Sequence, residues 1–255
     1  AATPAPPGID LTRTALGIEF GSTRIKAVLT DPSGAALLDP TGTLEPGIPL
    51  CPPEGDAGTG MVATDSVRPR TGNVSAGTSA QGDMDEAGVI SHNFLSGDAL
   101  VHLPAGRPLT MRRPGSALTL AGLMRSHLFS LFASMAHGIR VLRRCADVPI
   151  DSMSAHGSVF ATPEIPQRTL AAAFDTPVSV ATTASQGGAW GMSLLAGYLL
   201  WGRGRALEDY LDREIFADAR SVTITATAQE VAEYGRYLER FIAALPVQAA
   251  AVKAF

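Results

Sequence analysis

Residues 47–79, GIPLCPPEGDAGTGMVATDSVRPRTGNVSAGTS, decide how the chain is read. Cys51-Pro52-Pro53-Glu54-Gly55 cannot continue a helix or a central strand, because each proline removes a backbone donor and fixes φ. Asp56 therefore sits just past a loop, and the small and apolar run 57–67 starts a helix behind it. A carboxylate at the head of a helix is held in one place and kept ionised by the helix dipole, which makes Asp56 a candidate general base. The plainer alternative is an N-capping Asp. Asn73-Val74-Ser75 then reads as a short strand running into Ala76-Gly77-Thr78-Ser79, a turn whose backbone N–H groups and hydroxyls suit a phosphate; here the alternative is an ordinary strand turn.

Composition narrows the class. The 255 residues are 45% hydrophobic and 17% charged, enough to bury a core in one large or two small domains. A formal charge of −4 with arginines scattered along the chain argues against nucleic acid or an anionic lipid surface as partner. Cys51 and Cys145 have no CxxC or Cys/His ligand spacing and fit a reduced, cytoplasmic protein. The stretch AATPAPPGID carries no basic and apolar leader pattern, and no apolar run reaches the ~20 residues of a membrane span. The expectation is a soluble, cytoplasmic globular protein with no nucleic-acid or membrane partner.

Outward from the opening stretch, 16–29 (LGIEFGSTRIKAVL) reads as two β-type runs joined by Gly21-Ser22-Thr23-Arg24, a hairpin with a polar tip. Asp31-Pro32-Ser33-Gly34 is a turn, and 35–47 holds turn signals with little apolar periodicity. Residues 80–89 read as an acidic loop. From 118 to 145, Leu120, Met124, Leu128, Leu131, Met135, Ile139 and Leu142 recur at spacings of three and four, which predicts one long amphipathic helix with His127 and His137 at its boundary. Residues 151–162 predict a strand ending in a turn at Gly157-Ser158, followed by a helix over 163–174 capped by Thr162 and opened by Pro163. Residues 176–183 alternate as a strand, and Gly187-Gly188 opens a small-residue helix to Trp201. A last strand spans 221–225. Thr227 and Glu230 make a capping box for a structural helix bearing Val231, Tyr234, Leu238, Phe241 and Leu245.

Three phosphate-type turns on strands, one carboxylate at a helix head and helices that follow strands together resemble an α/β protein of the actin-like ATPase (ribonuclease H-like) fold. The wording of GIEFGSTRIKAVL, CPPEGDAGTGMVAT, RTGNVSAGTS, NFLSGD, GRPLTMRRP, AHGSVFATP and GGAWGMSLLAGYLL resembles the FGGY carbohydrate kinases, in particular their ribulokinase-like branch. The matches run in family order from Leu16 onward. The resemblance implies an N-terminal domain over 1–66, shortened by internal deletions, and a more complete nucleotide-binding domain over 67–255.

It also implies roles. Gly21, Ser22 and Thr23, with Lys26 behind, match the first phosphate loop, and Glu19 stands where many members carry an Asp near magnesium. Asp56 matches the base that takes the proton from the attacking sugar hydroxyl. Gly77, Thr78 and Ser79 match the second phosphate loop. Gly157 and Ser158 fall on the adenosine-binding glycine pair, with Ser158 in place of the second glycine, and Gly187 and Gly188 fall on a later pair beside the nucleotide. The implied activity is ATP- and Mg2+-dependent phosphorylation of a pentose, ketopentose or pentitol, with a homodimer as a candidate assembly. The alternative is a nucleotide-binding remnant or slow ATPase lacking a sugar pocket, since the family's block of sugar contacts is missing between Gly34 and Leu37 and a second block between Ser79 and Gly88.

Overall fold

The computed structural model describes residues 11–20, 25–37, 51–52, 55–75, 88–146, 148–181, 187–202, 204–217 and 219–254. In chain order these form β1 (Ala15–Phe20), β2 (Ile25–Thr30), β3 (Ala36–Leu37), α1 (Asp56–Ala63), β4 (Thr71–Ser75), β5 (Val89–His92), β6 (Leu109–Arg112) and α2 (Leu120–Ala146). Then follow β7 (Ser152–His156), α3 (Ile165–Phe174), β8 (Val178–Ala181), α4 (Gly187–Trp201), α5 (Leu207–Tyr210), β9 (Ser221–Ile224), α6 (Ala228–Ala243) and α7 (Leu245–Ala254). The strands make three sheets, ordered β1-β2-β3, β4-β7-β8-β9 and β5-β6. The chain divides into two compact units, one of Ala1–Ser75, Met153–Gly157 and Val180–Val222, the other of Ala76–Ser152, Ser158–Ser179 and Thr223–Phe255.

In the first unit the expected hairpin is present, with Ala15 opposite Thr30 and Phe20 opposite Ile25, and β3 adds to its second strand. Its tip, 21–24, lies outside the described residues. The Asp31 turn closes as its sequence predicts. The Asp31 carboxylate accepts from the Ser33 amide at 2.9 Å and the Ala35 amide at 3.1 Å, and Gly34 takes the φ of +80° that the turn requires. The helix expected behind the proline run begins one residue earlier, at Asp56. Gly55 is its N-cap, extended at φ −78° and ψ 162°, so Asp56 is the first helical residue and the N-capping reading is corrected. The helix stops early because Thr64 Oγ1 bonds back to the Gly60 carbonyl at 2.8 Å and Asp65 adopts φ +52°.

The core of this unit joins α1, α4 and α5: Val62, Ala63, Trp190, Leu194, Tyr210 and Leu211 are all buried in one cluster. The Trp190 indole donates to the Gly34 carbonyl at 2.9 Å, tying α4 to the turn after β2. A single π turn, Leu211–Ile215, extends α5; nothing in the sequence pattern announced it.

In the second unit β5 and β6 pair antiparallel, Val89 opposite Arg112 and His92 opposite Leu109, a hairpin that periodicity did not reveal. The long helix is present, yet it buries a different face. Of the seven stripe residues only Leu128 is buried, and Leu120 is 75% exposed. The inner face is Ser126, Phe129, Ser130, Phe132, Ala133, Ser134 and Ala136. Small residues win there because α3, α6 and β5 all pack against α2, and Ser126 and Ser130 are satisfied. Ser126 and Ser91 hydroxyls meet at 2.7 Å, the Asn93 amide donates to Ser130 Oγ at 3.2 Å, and Tyr237 OH donates to the Ser126 carbonyl at 3.2 Å. His127 and His137 are half-buried, as a boundary position requires.

The third helix starts two residues later than its Thr-Pro signal predicts. Glu164, at φ +64°, is the N-cap and Pro166 occupies the first turn, where a missing N–H costs nothing. The Thr227–Glu230 capping box is formed: the Thr227 amide donates to Glu230 Oε2 at 2.7 Å and the Glu230 amide to Thr227 Oγ1 at 3.3 Å. Tyr234, Leu238 and Phe241 face inward from α6, whereas Leu245 opens the separate helix α7. No described helix is long and apolar enough to cross a membrane.

Candidate active site

Three elements of the first unit are drawn together by glycine. A β-carbon on Gly17 of β1 would strike the Ala189 carbonyl and the Ser193 amide of α4, and one on Gly191 of α4 would strike the Thr59 carbonyl of α1. Only a residue without Cβ allows such backbone approaches. The contact brings side chains to the N-terminus of α4. A β-carbon on Gly188 would stand 3.2 Å from Thr59 Oγ1 and 3.4 Å from Glu19 Oε2. Glu19 of β1, Thr59 of α1 and Gly188 of α4 therefore meet at one point. The first turn of α4 carries no acidic residue of its own, so Glu19 supplies the negative charge that a helix N-terminus favours.

Thr59 lies less than one helical turn beyond Asp56, and its amide bonds to the Gly55 carbonyl at 3.1 Å, fixing the opening turn of α1. The next residue, Gly60, faces β4 and β7. A β-carbon there would strike Asn73 Nδ2 and lie 2.8 Å from His156 Nε2. Asn73 Nδ2 and His156 Nε2 lie 3.2 Å apart, a hydrogen bond that ties β4 to the buried imidazole of β7. Gly157 follows at φ +108°, a conformation that β-carbon-bearing residues avoid.

The expected site residues are distributed as follows. Glu19 and Gly188 are in contact, and Asp56 opens the helix whose Thr59 joins them. Lys26 stands directly opposite Glu19 in the hairpin register, and Gly187 begins α4. Gly157 follows the last residue of β7, His156, and Ser158 begins the 3-10 turn Ser158–Ala161. Gly21, Ser22, Thr23, Gly77, Thr78 and Ser79 lie outside the described residues. Thr59, Asn73 and His156 were missed. The Gly58-Thr59-Gly60 triplet was their one signal, since two glycines at the third and fifth positions of a helix mark a surface that something approaches.

Glu19 Oε2 and Thr59 Oγ1, the latter donating to the Gly55 carbonyl at 3.3 Å, flank the same point beside Gly188, and a carboxylate and a hydroxyl are hard oxygen donors of the kind magnesium takes with water and phosphate, so these residues fit that ion. Among the described residues no three His, Cys, Asp or Glu side chains gather, so the site offers no all-protein metal cage.

Residues 63–200, more than half of the chain, match the C-terminal domain model of the FGGY family of carbohydrate kinases. Solved structures share the fold at low identity. A xyloylose kinase from Brucella ovis is 17% identical with a TM-score of 0.51, covering 66% of this chain and 34% of its own. A gluconate kinase from Lactobacillus acidophilus is 13% identical with a TM-score of 0.50, covering 66% and 33%. The chain thus spans about a third of the length of these kinases. No curated protein matches it. The sheets and the helices that follow their strands are those of an α/β protein of the actin-like ATPase fold.

Proposed function

Because the chain belongs to the FGGY family of carbohydrate kinases, we propose that it transfers the γ-phosphate of ATP to a hydroxyl of a pentose, ketopentose or pentitol. The observation that carries this reading is the meeting of Glu19, Thr59 and Gly188, with Thr59 three residues beyond Asp56 in α1. Phosphoryl transfer asks a protein mainly for positioning and charge neutralisation, with one group to accept the hydroxyl proton.

In this reading Asp56 accepts that proton, held at the first position of α1. Glu19 and the Thr59 hydroxyl hold magnesium, which when bound neutralises charge on the phosphates. Gly21, Ser22, Thr23 and Lys26 form one phosphate loop, and Gly77, Thr78 and Ser79 the other. Gly157, Ser158, Gly187 and Gly188 line the nucleoside side, where Gly188 lets the backbone of α4 approach and the Asn73–His156 pair braces α1. The ribulokinase-like branch, shortening by internal deletions, a cytoplasmic location and a homodimeric assembly belong to the same proposal.

The second reading is slow ATP hydrolysis without a sugar acceptor, favoured by the chain's spanning about a third of the length of the kinases it resembles. Magnesium-dependent ADP release, measured with and without a panel of ketopentoses and pentitols, separates the two. Release that rises with one sugar supports the kinase. Release indifferent to every sugar supports the hydrolase, and no release overturns both.

A further inference from the structure

Two close approaches hold α1 from different sides. Toward α4, the Thr59 carbonyl lies where a β-carbon on Gly191 would collide with it. Toward the sheet, Gly60 faces the Asn73–His156 pair, with no room for a β-carbon beside Asn73 Nδ2 or, at 2.8 Å, His156 Nε2. Thr59 and Gly60 are adjacent in sequence and about 100° apart around the helix, so the two contacts fix its position in two directions rather than one.

The pair is a rigid spacer. Asn73 and His156 come from β4 and β7, neighbours in one sheet, and their side chains are hydrogen-bonded to each other at 3.2 Å. The imidazole is buried, and a close-packed ring whose Nε2 is held by Asn73 does not swing aside as the end of a long side chain would. Gly60 follows Asp56 by four residues, which puts the two on one face of α1, about 6 Å apart along its axis. The pair therefore sets how far that face, with Asp56 at its head, stands from β4 and β7. Proton transfer to a positioned base depends steeply on such a distance, and a misplacement of about 1 Å costs on the order of 10² in rate.

We propose that Asn73 and His156 are positioning residues for Asp56, governing turnover through the stand-off of α1 while leaving ATP affinity nearly untouched; this rests on the role given to Asp56 above. The test is ADP release from Mg-ATP by the full chain, with any sugar that stimulates it, alongside calorimetric titration with Mg-ATP. His156→Ala should lower kcat at least about tenfold, with KM for ATP and the calorimetric affinity within about threefold of wild type. His156→Gln, whose amide reaches Asn73 from the place of Nε2, should recover most of that loss. Asn73→Ala should fall in the same direction as His156→Ala, and it carries the test if His156→Ala does not fold. In an Asp56→Asn background either alanine variant should lower the residual turnover by less than about twofold, because its effect passes through a base no longer there. Equal fold losses in the two backgrounds overturn the proposal, as does unchanged kcat in both alanine variants or a loss confined to ATP affinity. Unchanged turnover in Asp56→Asn alone, or none in wild type, is a separate result that overturns the reading of Asp56 and the proposal with it.

Discussion

Glu19 Oε2 lies 3.4 Å from the point where a β-carbon on Gly188 would stand, so a strand carboxylate closes the N-terminus of a helix that begins far along the chain. The contact depends on two other glycines, Gly17 and Gly191, which let β1 and α1 reach the α4 backbone. Gly191 and Gly188 should therefore respond differently to the same change.

At Gly191 an added methyl meets the Thr59 carbonyl, a backbone atom that cannot swing away. Gly191→Ala should lose roughly 1–3 kcal/mol, as overpacking does, even though alanine favours the helix. Gly188→Ala meets only the ends of two side chains at 3.2–3.4 Å and should stay within about 1 kcal/mol of wild type in urea unfolding, since the helix propensity gained offsets the crowding. Its effect should appear instead as weaker Mg-ATP binding by calorimetry. Equal stability of the two variants would contradict the packing described.

Asp56→Asn keeps size and hydrogen bonding while removing the base. Turnover should fall by roughly 10²–10⁴ with ATP binding retained. Unchanged ADP release in this variant would remove Asp56 from the role proposed for it.

Asp65 ends α1 at φ +52° with its Oδ1 buried and without a hydrogen-bond partner among the described residues. Burial pushes its carboxyl above the ordinary 3.8, against the opposing pull of the Arg68 charge. The folded state therefore holds the proton more tightly than the unfolded chain. The contribution to stability is full below pH 3.8 and is lost as pH rises through the raised value. Asp65→Asn, which tolerates the left-handed backbone, should raise the melting temperature at pH 7, with the gain vanishing toward pH 3.

His92 responds with the opposite sign. It is fully buried, its Nε2 donates to the Phe241 carbonyl at 3.1 Å, and Phe94 and Phe241 pack against its ring. Burial holds the imidazole below the ordinary 6.5, outweighing the bonds to Phe241 and Gln248 that favour the charged form. The unfolded chain takes up this proton first, so stability present above pH 6.5 is lost as pH falls toward the depressed value. Thermal melts of wild type should slope downward across that window. His92→Leu should flatten the slope, and an unchanged slope would assign the acid sensitivity to another group.

Local grammar made much of the chain legible before any coordinates. Alternating runs on either side of Gly21-Ser22-Thr23-Arg24 suffice for the β1–β2 hairpin, because pairing across a short turn needs no distant partner. Thr227 and Glu230 suffice for the start of α6, because both halves of a capping box lie within one turn. The ordered wording of its segments pointed to the FGGY family, and the domain match bears that out.

What tertiary structure alone decided are choices among faces and partners. The spacing of Leu120 to Leu142 defines a helix, yet α2 turns Ser126 and Ser130 inward, because three neighbours approach it closely and polar groups of the β5 segment complete these serines' hydrogen bonds. No sequence window contains Glu19, Thr59 and Gly188 together. They meet only because glycines at Gly17 and Gly191 admit backbone contact between β1, α1 and α4. Composition and periodicity set what each segment can become, and close packing between segments distant in sequence determines which side chains meet.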